Sequence, residues 1–184
     1  MKKIYGNKAL ISTISSMIQR DKAAHSVMFC GEKGSGRKLM AKYYTASLLC
    51  ERSDNGIPCG TCPACRMVNS LTHPDVTVVQ TSGKLGGYSV QTAKDICSDA
   101  FIKPNNNTGK KVYLFHDCRK MDPRTQNTLL KLIEEPPDYA YFVFTTESKY
   151  EFLPTIISRC CCFNMSPCTE DEAAATLRED GFGE

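Results

Sequence analysis

The sequence predicts an α/β fold in which parallel strands alternate with helices. Two observations carry this prediction. Short apolar runs alternate along the chain with segments of helical periodicity, and a glycine-rich loop stands between the first strand and the next helix. In such folds ligands bind beyond the carboxyl ends of the strands, where this loop also lies.

Composition excludes several classes of protein. The chain has 184 residues, 41% of them hydrophobic, and a net charge of +3, which is too small to indicate a nucleic-acid partner. No segment approaches the roughly 18 apolar residues of a membrane span, and polar residues interrupt the N-terminus before any signal-peptide core. We therefore expect a globular protein of the cytoplasm without a membrane partner.

The first half of the chain begins with helical periodicity over residues 7–20, where apolar residues recur at intervals of 3, 4 and 7. A short apolar run at 27–29 predicts a buried strand. The glycine-rich loop follows it, and a second helix extends to residue 50. A β-branched run at 76–79 then predicts the second strand.

In the second half, the glycine-rich residues 82–87 are predicted to form a mobile connection. A helix follows, capped by Ser89, and its apolar stripe extends to Phe101. Strands are predicted at 111–115, 141–144 and 161–163. The helix between the first two of these begins at Asp122-Pro123 and is stopped by prolines 136 and 137. Residues 169–172 form a capping box that opens a last short helix.

The glycine-rich loop, residues 31–38, has the form of a phosphate-binding loop, with Gly31, Gly34 and Gly36 as its glycines. Glycines let consecutive backbone N–H groups turn towards an anion, and the following helix adds its positive end. A working loop continues with Lys and then Ser or Thr, but this chain has Arg37 and Lys38. Arginine can still meet a phosphate, whereas Lys38 cannot supply the hydroxyl that ligates Mg²⁺.

The residues that follow the third strand also differ from those of an active ATPase. ATPases of this type place two acidic residues there, one for the metal and one to activate water, but this chain has His116 and Asp117. These two residues can also be interpreted as a simple strand end and turn. Three departures, at positions 37, 38 and 116, together predict that the chain's own ATPase chemistry is disabled.

Four of the eleven cysteines, Cys50, Cys59, Cys62 and Cys65, lie within sixteen residues in the pattern C-x8-C-x2-C-x2-C. Four thiolates suit a tetrahedral, structural Zn²⁺ with no open position for catalysis. The alternatives are unligated thiols or a redox pair formed by Cys59 and Cys62. The other seven are expected to be small buried side chains rather than ligands: Cys30, Cys97, Cys118, Cys160, Cys161, Cys162 and Cys168.

A family resemblance rests on several motifs together. The sequence L-L-K-L-I-E-E-P-P occupies residues 129–137, S-R-C occupies 158–160, and T-H-P-D occupies 72–75, in addition to the four cysteines. Over about residues 4–178 the chain resembles the clamp-loader branch of the AAA+ proteins, and in detail the delta-prime subunits of bacterial DNA polymerase III. The gamma/tau subunits share several of these motifs, but they keep the Lys-Thr pair in the loop and the Asp-Glu pair on the third strand.

The resemblance implies a RecA-like AAA+ domain over residues 1–165, a P-loop NTPase sandwich with a five-stranded parallel sheet and a zinc module at about 50–65. Residues 166–184 would begin a helical lid domain, which in the family is followed by a collar domain. Arg159 of S-R-C corresponds to an arginine finger that acts on ATP held by the neighbouring subunit. Thr145 or Thr146 occupies the sensor position. A solvated Arg159 and threonines that merely satisfy local backbone groups are the alternatives.

The implied partners are the gamma/tau ATPase subunits and the delta subunit, with the sliding clamp and primed DNA reached through the complex. ATP would be bound only in the neighbouring subunit. Two other functions stay open on the sequence. One is an active gamma/tau-like ATPase that uses Arg37 in place of lysine, and the other is a zinc-dependent nucleic-acid-binding module.

Overall fold

The computed structural model describes residues 4, 6–81, 87–167, 169–172 and 174. The named helices and strands are α1 (Lys8–Gln19), β1 (Ser26–Cys30), α2 (Arg37–Leu49), α3 (Pro63–Ser70), β2 (Val76–Val78), α4 (Val90–Asp99), β3 (Lys111–Phe115), α5 (Pro123–Glu134), β4 (Ala140–Thr146), α6 (Pro154–Ile157) and β5 (Cys161–Asn164). Two short 3-10 turns follow β3 and β4, at Cys118–Lys120 and Lys149–Glu151.

The five strands form one parallel sheet in the order β2-β3-β4-β1-β5. Strand β1 is central, pairing with β4 on one side and β5 on the other. Every residue of β1, β3 and β4 is buried, as expected for parallel strands that are covered by helices on both faces. The predicted five-stranded parallel α/β fold is confirmed.

Alternating residues of the strands contribute to two separate cores. Phe29 and Val143 belong to the core shared with α1, α2 and α3, whereas Met28 and Phe144 belong to the core shared with α4 and α5. In the second core, rings from β3 and β4 stack in adjacent rows, with Phe115 and Phe144 centred 4.7 Å apart. The sheet is therefore the middle layer of three and fixes the positions of the loops at both of its edges.

The structure differs from the sequence prediction at α3. No helix was predicted between the cysteines, but Pro63 begins a helix whose N-cap is Cys62. Proline is favoured at the first helical position because its missing N–H has no partner there anyway. The third and fourth cysteines of the cluster are thus held by a helix start.

Other predictions need smaller corrections. Phe101, predicted to lie on the apolar stripe of α4, is 67% exposed, because α4 ends at Asp99. The capping box is confirmed, since the backbone N–H of Glu172 donates to the Thr169 hydroxyl (3.3 Å) and that of Thr169 to the Glu172 carboxylate (3.0 Å). The predicted mobile connection lies almost wholly outside the described residues, as do Cys168 and the end of the last helix.

Candidate functional site

The phosphate loop connects β1 to α2 at the carboxyl edge of the sheet. Gly34 and Gly36 adopt φ angles of +93° and +82°, a region that side chains with a Cβ disfavour. Gly31 is needed for a close approach, because a Cβ there would lie 2.8 Å from the Ser35 hydroxyl and 2.9 Å from the Met165 carbonyl oxygen. The loop and the start of α2 border a cavity of about 420 Å³.

The two basic residues of the loop are paired with carboxylates of the same chain. Lys38 Nζ lies 2.7 Å from Asp117, which also lies 3.5 Å from Arg37 Nη2. Arg37 is only 7% exposed and lies 3.8 Å from Glu147, which is held in turn by Arg119 at 3.0 Å. The hydrogen bond from Lys38 holds the pKa of Asp117 below its usual value. The positive charges that a phosphate would meet are therefore already partly neutralised.

His116 occupies the position at which an ATPase of this type holds its metal. Burial, with Lys38 nearby, lowers the pKa of His116 to about 4, so its ring is neutral at physiological pH. Its backbone carbonyl accepts a hydrogen bond from the Tyr88 hydroxyl (2.5 Å). Its Nδ1 is buried and has no hydrogen-bond partner among the described residues. Neither a carboxylate nor a hydroxyl stands at positions 116 and 38 to organise Mg²⁺.

The two candidate sensor residues at the end of β4 contact local groups. The Thr145 hydroxyl accepts a hydrogen bond from the backbone N–H of Asp117 (3.0 Å). The Thr146 hydroxyl lies 3.3 Å from the Ser148 carbonyl oxygen and also contacts the Glu151 carboxylate. These contacts agree with the alternative interpretation, in which the two threonines only form hydrogen bonds with nearby groups. The sensor role stays a prediction.

The four cysteines predicted to bind metal converge. Their sulfur atoms all lie within 4.8 Å of one another, and those of Cys50 and Cys62 are 4.0 Å apart. Four thiolates on one zinc at 2.3 Å would be separated by about 3.8 Å. Backbone N–H groups of the cluster donate to the sulfurs of Cys50, Cys59 and Cys62 at 3.3–3.4 Å.

The electrostatics of the cluster also suit a cation. Hydrogen bonds from the backbone N–H groups of Thr61 and Cys62 lower the pKa of Cys59 to about 6, whereas burial raises the pKa of Cys50 and Cys65. The buried thiols therefore need a positive charge to become thiolates. The donor set and its spacing fit a four-coordinate Zn²⁺, and the ten described cysteines form no disulfide.

Arg159 lies in the short segment between α6 and β5, two residues before β5 begins. Its guanidinium is about one-third exposed and lies 2.8 Å from the Glu134 carboxylate. It also donates to the Thr155 carbonyl oxygen (3.0 Å) and the Ser158 hydroxyl (3.3 Å). The residue borders a shallow cavity of about 420 Å³ that the start of β1 also lines.

Arg159 and the phosphate loop lie at opposite edges of the sheet. The loop follows the carboxyl end of β1, whereas Arg159 stands before β5, whose first residue pairs with Val27 near the amino end of β1. Five residues of β1 separate the two edges, which corresponds to about 15 Å. Arg159 therefore cannot reach a phosphate held by its own chain's loop.

The sequence did not predict two ion pairs of the site. The pairing of Arg37 with Glu147 joins residues far apart in the chain, and only the parallel order of β1 and β4 brings them together. The sequence did contain a signal for this contact, because Asp117 and Glu147 stand within two residues of the ends of β3 and β4. The contact of Glu134 with Arg159 was also missed, although both lie in motifs that we had singled out.

Comparison with known proteins identifies the family. The family model described as "DNA polymerase III, delta subunit" matches residues 6–169 of the chain. The chain belongs to this family. Among curated proteins, it is similar to DNA polymerase III subunit delta' of Bacillus subtilis, with 31% identity over 152 residues that cover 82% of the chain and 45% of the relative.

Gamma/tau subunits are as similar to the chain as delta' subunits are. The chain is 30% identical to DNA polymerase III subunit gamma/tau of Mycoplasma pneumoniae over 174 residues, which cover 95% of the chain and 25% of the relative. It is also 30% identical to subunit delta' of Pseudomonas aeruginosa, covering 86% of the chain and 47% of the relative. The chain thus spans between a quarter and a half of these relatives, and identity does not separate the two kinds of subunit.

Solved structures bear on the fold alone. A gamma subunit-related protein of DNA polymerase III from Thermotoga maritima superposes with a TM-score of 0.64 at 20% identity, covering 91% of the chain and 49% of that structure. The RuvB Holliday junction branch migration motor of the same organism gives 0.58 at 14% identity, covering 97% and 52%. The fold is that of AAA+ P-loop proteins. In the described parts of the chain, no helix has the length and apolar character needed to cross a membrane.

Proposed function

We propose that the chain is the AAA+ part of a noncatalytic, delta-prime-like subunit of a bacterial clamp loader. In this proposal residues 1–165 form the AAA+ domain, residues 166–184 begin the lid, and Arg159 acts as an arginine finger on ATP bound by a neighbouring subunit. The partners are gamma/tau ATPase subunits and a delta subunit, and through the complex the sliding clamp and primed DNA. The site of action is the replisome in the cytoplasm.

The observation that carries this proposal is the position of Arg159 on the edge of the sheet opposite the phosphate loop. An arginine supplied in trans stabilises the charge that develops on the γ-phosphate during hydrolysis. A residue about 15 Å from its own loop, at the other end of the strands, is too far from a nucleotide of its own chain, which supports a role on the nucleotide of another chain.

The charge pairing in the loop supports the noncatalytic part of the proposal. Asp117 and Glu147 are engaged with Arg37, Lys38 and Arg119, so both carboxylates are already paired with cations of the same chain. In the proposal the four cysteines hold a structural Zn²⁺ that joins the end of α2 to the start of α3.

The test is Arg159→Ala in the full-length protein, assembled with the partner ATPase subunits of its own organism. Single-turnover ATP hydrolysis at the site that faces Arg159 should fall by at least about tenfold, while the complex still assembles by size-exclusion chromatography. An unchanged rate in an intact complex would remove the finger assignment.

An active gamma/tau-like ATPase is a second candidate, favoured by the 30% identity with the gamma/tau subunit of Mycoplasma pneumoniae. It predicts Mg²⁺-dependent ATP turnover by the chain without partners, which collapses when Arg37 or the exposed Lys38 is replaced by alanine. Our proposal predicts no such turnover. The Lys38→Ala variant keeps this test meaningful if the loss of buried Arg37 unfolds the protein.

A further inference from the structure

Glu134 is the last residue of α5, and the prolines at 136 and 137 end the helix just beyond it. A carboxylate at a helix C-terminus faces the negative end of the helix dipole, which is unfavourable. Here the guanidinium of Arg159, 2.8 Å from the Glu134 carboxylate, offsets that charge. A half-exposed glutamate in a position that helix stability disfavours indicates a role other than stabilising α5.

The contacts of Arg159 hold its side chain in one orientation. Nη2 donates to Glu134, and Nη1 donates to both the Thr155 carbonyl oxygen and the Ser158 hydroxyl. These three bonds use three of the five N–H groups of a guanidinium. Among the described residues the other two, one on Nε and one on Nη2, have no acceptor. A bidentate contact with a phosphate needs two such donors.

We propose that Glu134 is the positioning residue of Arg159, orienting the guanidinium before a neighbouring subunit presents its nucleotide. This inference rests on the proposed function of Arg159. A free arginine side chain must lose much of its rotational freedom when it contacts a phosphate. Contacts already made to Glu134, Thr155 and Ser158 reduce that loss at the moment of reaction.

The opposite role, in which Glu134 sequesters Arg159 from the nucleotide, fits the geometry less well. Both side chains of the pair are partly exposed, 34% for Arg159 and 48% for Glu134, so a phosphate can approach the guanidinium while the pair stays formed. The two N–H groups without an acceptor can bind the phosphate without displacing the Glu134 carboxylate, and the two neutral acceptors bonded to Nη1 do not oppose a phosphate.

The experiment uses the same full-length complex as the Arg159→Ala test, with four further variants. Glu134→Ala removes the acceptor. Glu134→Gln keeps an amide oxygen of the same reach but loses the charge. Glu135→Ala is the matched control, because it removes a neighbouring exposed carboxylate that has no ion pair with Arg159. The fourth is the double variant Glu134→Ala/Arg159→Ala.

We expect Glu134→Ala to lower kcat at the site facing Arg159 by about three- to tenfold with KM for ATP unchanged, because the partner's own loop binds the nucleotide. Glu134→Gln should retain most of the rate, and Glu135→Ala should match the wild type. In the Arg159→Ala background, Glu134→Ala should cause no further loss. A purely structural role would instead cause an additive loss and a lower melting temperature.

The outcomes separate the two proposals. If Arg159→Ala has no effect, the proposed function falls and this inference falls with it. If Arg159→Ala lowers the rate but Glu134→Ala leaves it unchanged, raises it, or lowers it equally in both backgrounds, only the positioning role is overturned.

Discussion

Lowering the pH from 7 to 5 should destabilise the folded chain through His116. Burial, together with the ammonium groups of Lys38 and Lys42, lowers its pKa from the usual 6.5 to about 4, against a smaller opposite effect of Asp117. Between these two values the unfolded chain binds a proton that the folded chain does not bind. Stability is therefore fully present above pH 6.5 and is lost as the pH falls towards 4.

The magnitude follows from the two pKa values. At pH 5 the unfolded imidazole is almost fully protonated while the folded one is mostly neutral. This difference in proton binding would lower the free energy of unfolding by about 2 kcal/mol between pH 7 and pH 5. Because water still reaches part of the ring, we expect a contribution of about 1–2 kcal/mol.

The assay is urea unfolding at several pH values between 5 and 7, for the wild type and for His116→Asn, at equal zinc concentration. Every other titrating group is common to the two proteins. The difference between them in how the free energy of unfolding changes with pH therefore reports on His116. The wild type should lose more stability than the variant on acidification, whatever the variant's stability at pH 7. If the free energy of unfolding changed equally with pH in both proteins, burial would not lower the pKa of His116, and the reasoning would be refuted.

Two further predictions concern the metal cluster and the start of α5. Cys65→Ser should lose one bound zinc per chain and lower the melting temperature, because metal binding contributes to folding free energy; full metal content by elemental analysis would contradict the four-cysteine site. Asp122→Ala should cost about 1 kcal/mol in urea unfolding, because the Asp122 carboxylate accepts from the backbone N–H groups of Arg124 (2.7 Å) and Thr125 (3.0 Å). Asp122→Asn, which keeps a cap, should lose much less.

The fold was largely predictable because three of its five strands, β1, β3 and β4, are wholly buried. Parallel strands covered on both faces are continuous apolar runs in the sequence, and the runs at β1, β3 and β4 were all found. Helix α3 was missed because its eight residues give too little periodicity to predict a helix. Phe101 was misplaced because periodicity continues past Asp99, whereas the helix does not.

The candidate site was predictable residue by residue but not as a set of contacts. The glycines, residues 37 and 38 and the four cysteines were singled out from local patterns, and Arg159 was singled out from the family resemblance. The partners of Arg37 and Arg159 were not. Asp117 and Glu147 approach Arg37 because parallel strands gather their ends at a common edge, whereas Glu134 approaches Arg159 because the end of α5 lies beside the segment that joins α6 to β5.

The ion pairs of the loop suggest a structural role for the phosphate loop under the proposed noncatalytic function. In an active ATPase, bound nucleotide and metal join the loop to the ends of the neighbouring strands. Here Arg37 and Lys38 make that connection with Asp117 and Glu147, which follow β3 and β4. The start of α2 is thus tied to the sheet by charges of the same chain. In the proposed function, the sheet that also carries Arg159 at the other ends of its strands is therefore held by side chains of the protein itself rather than by a bound nucleotide.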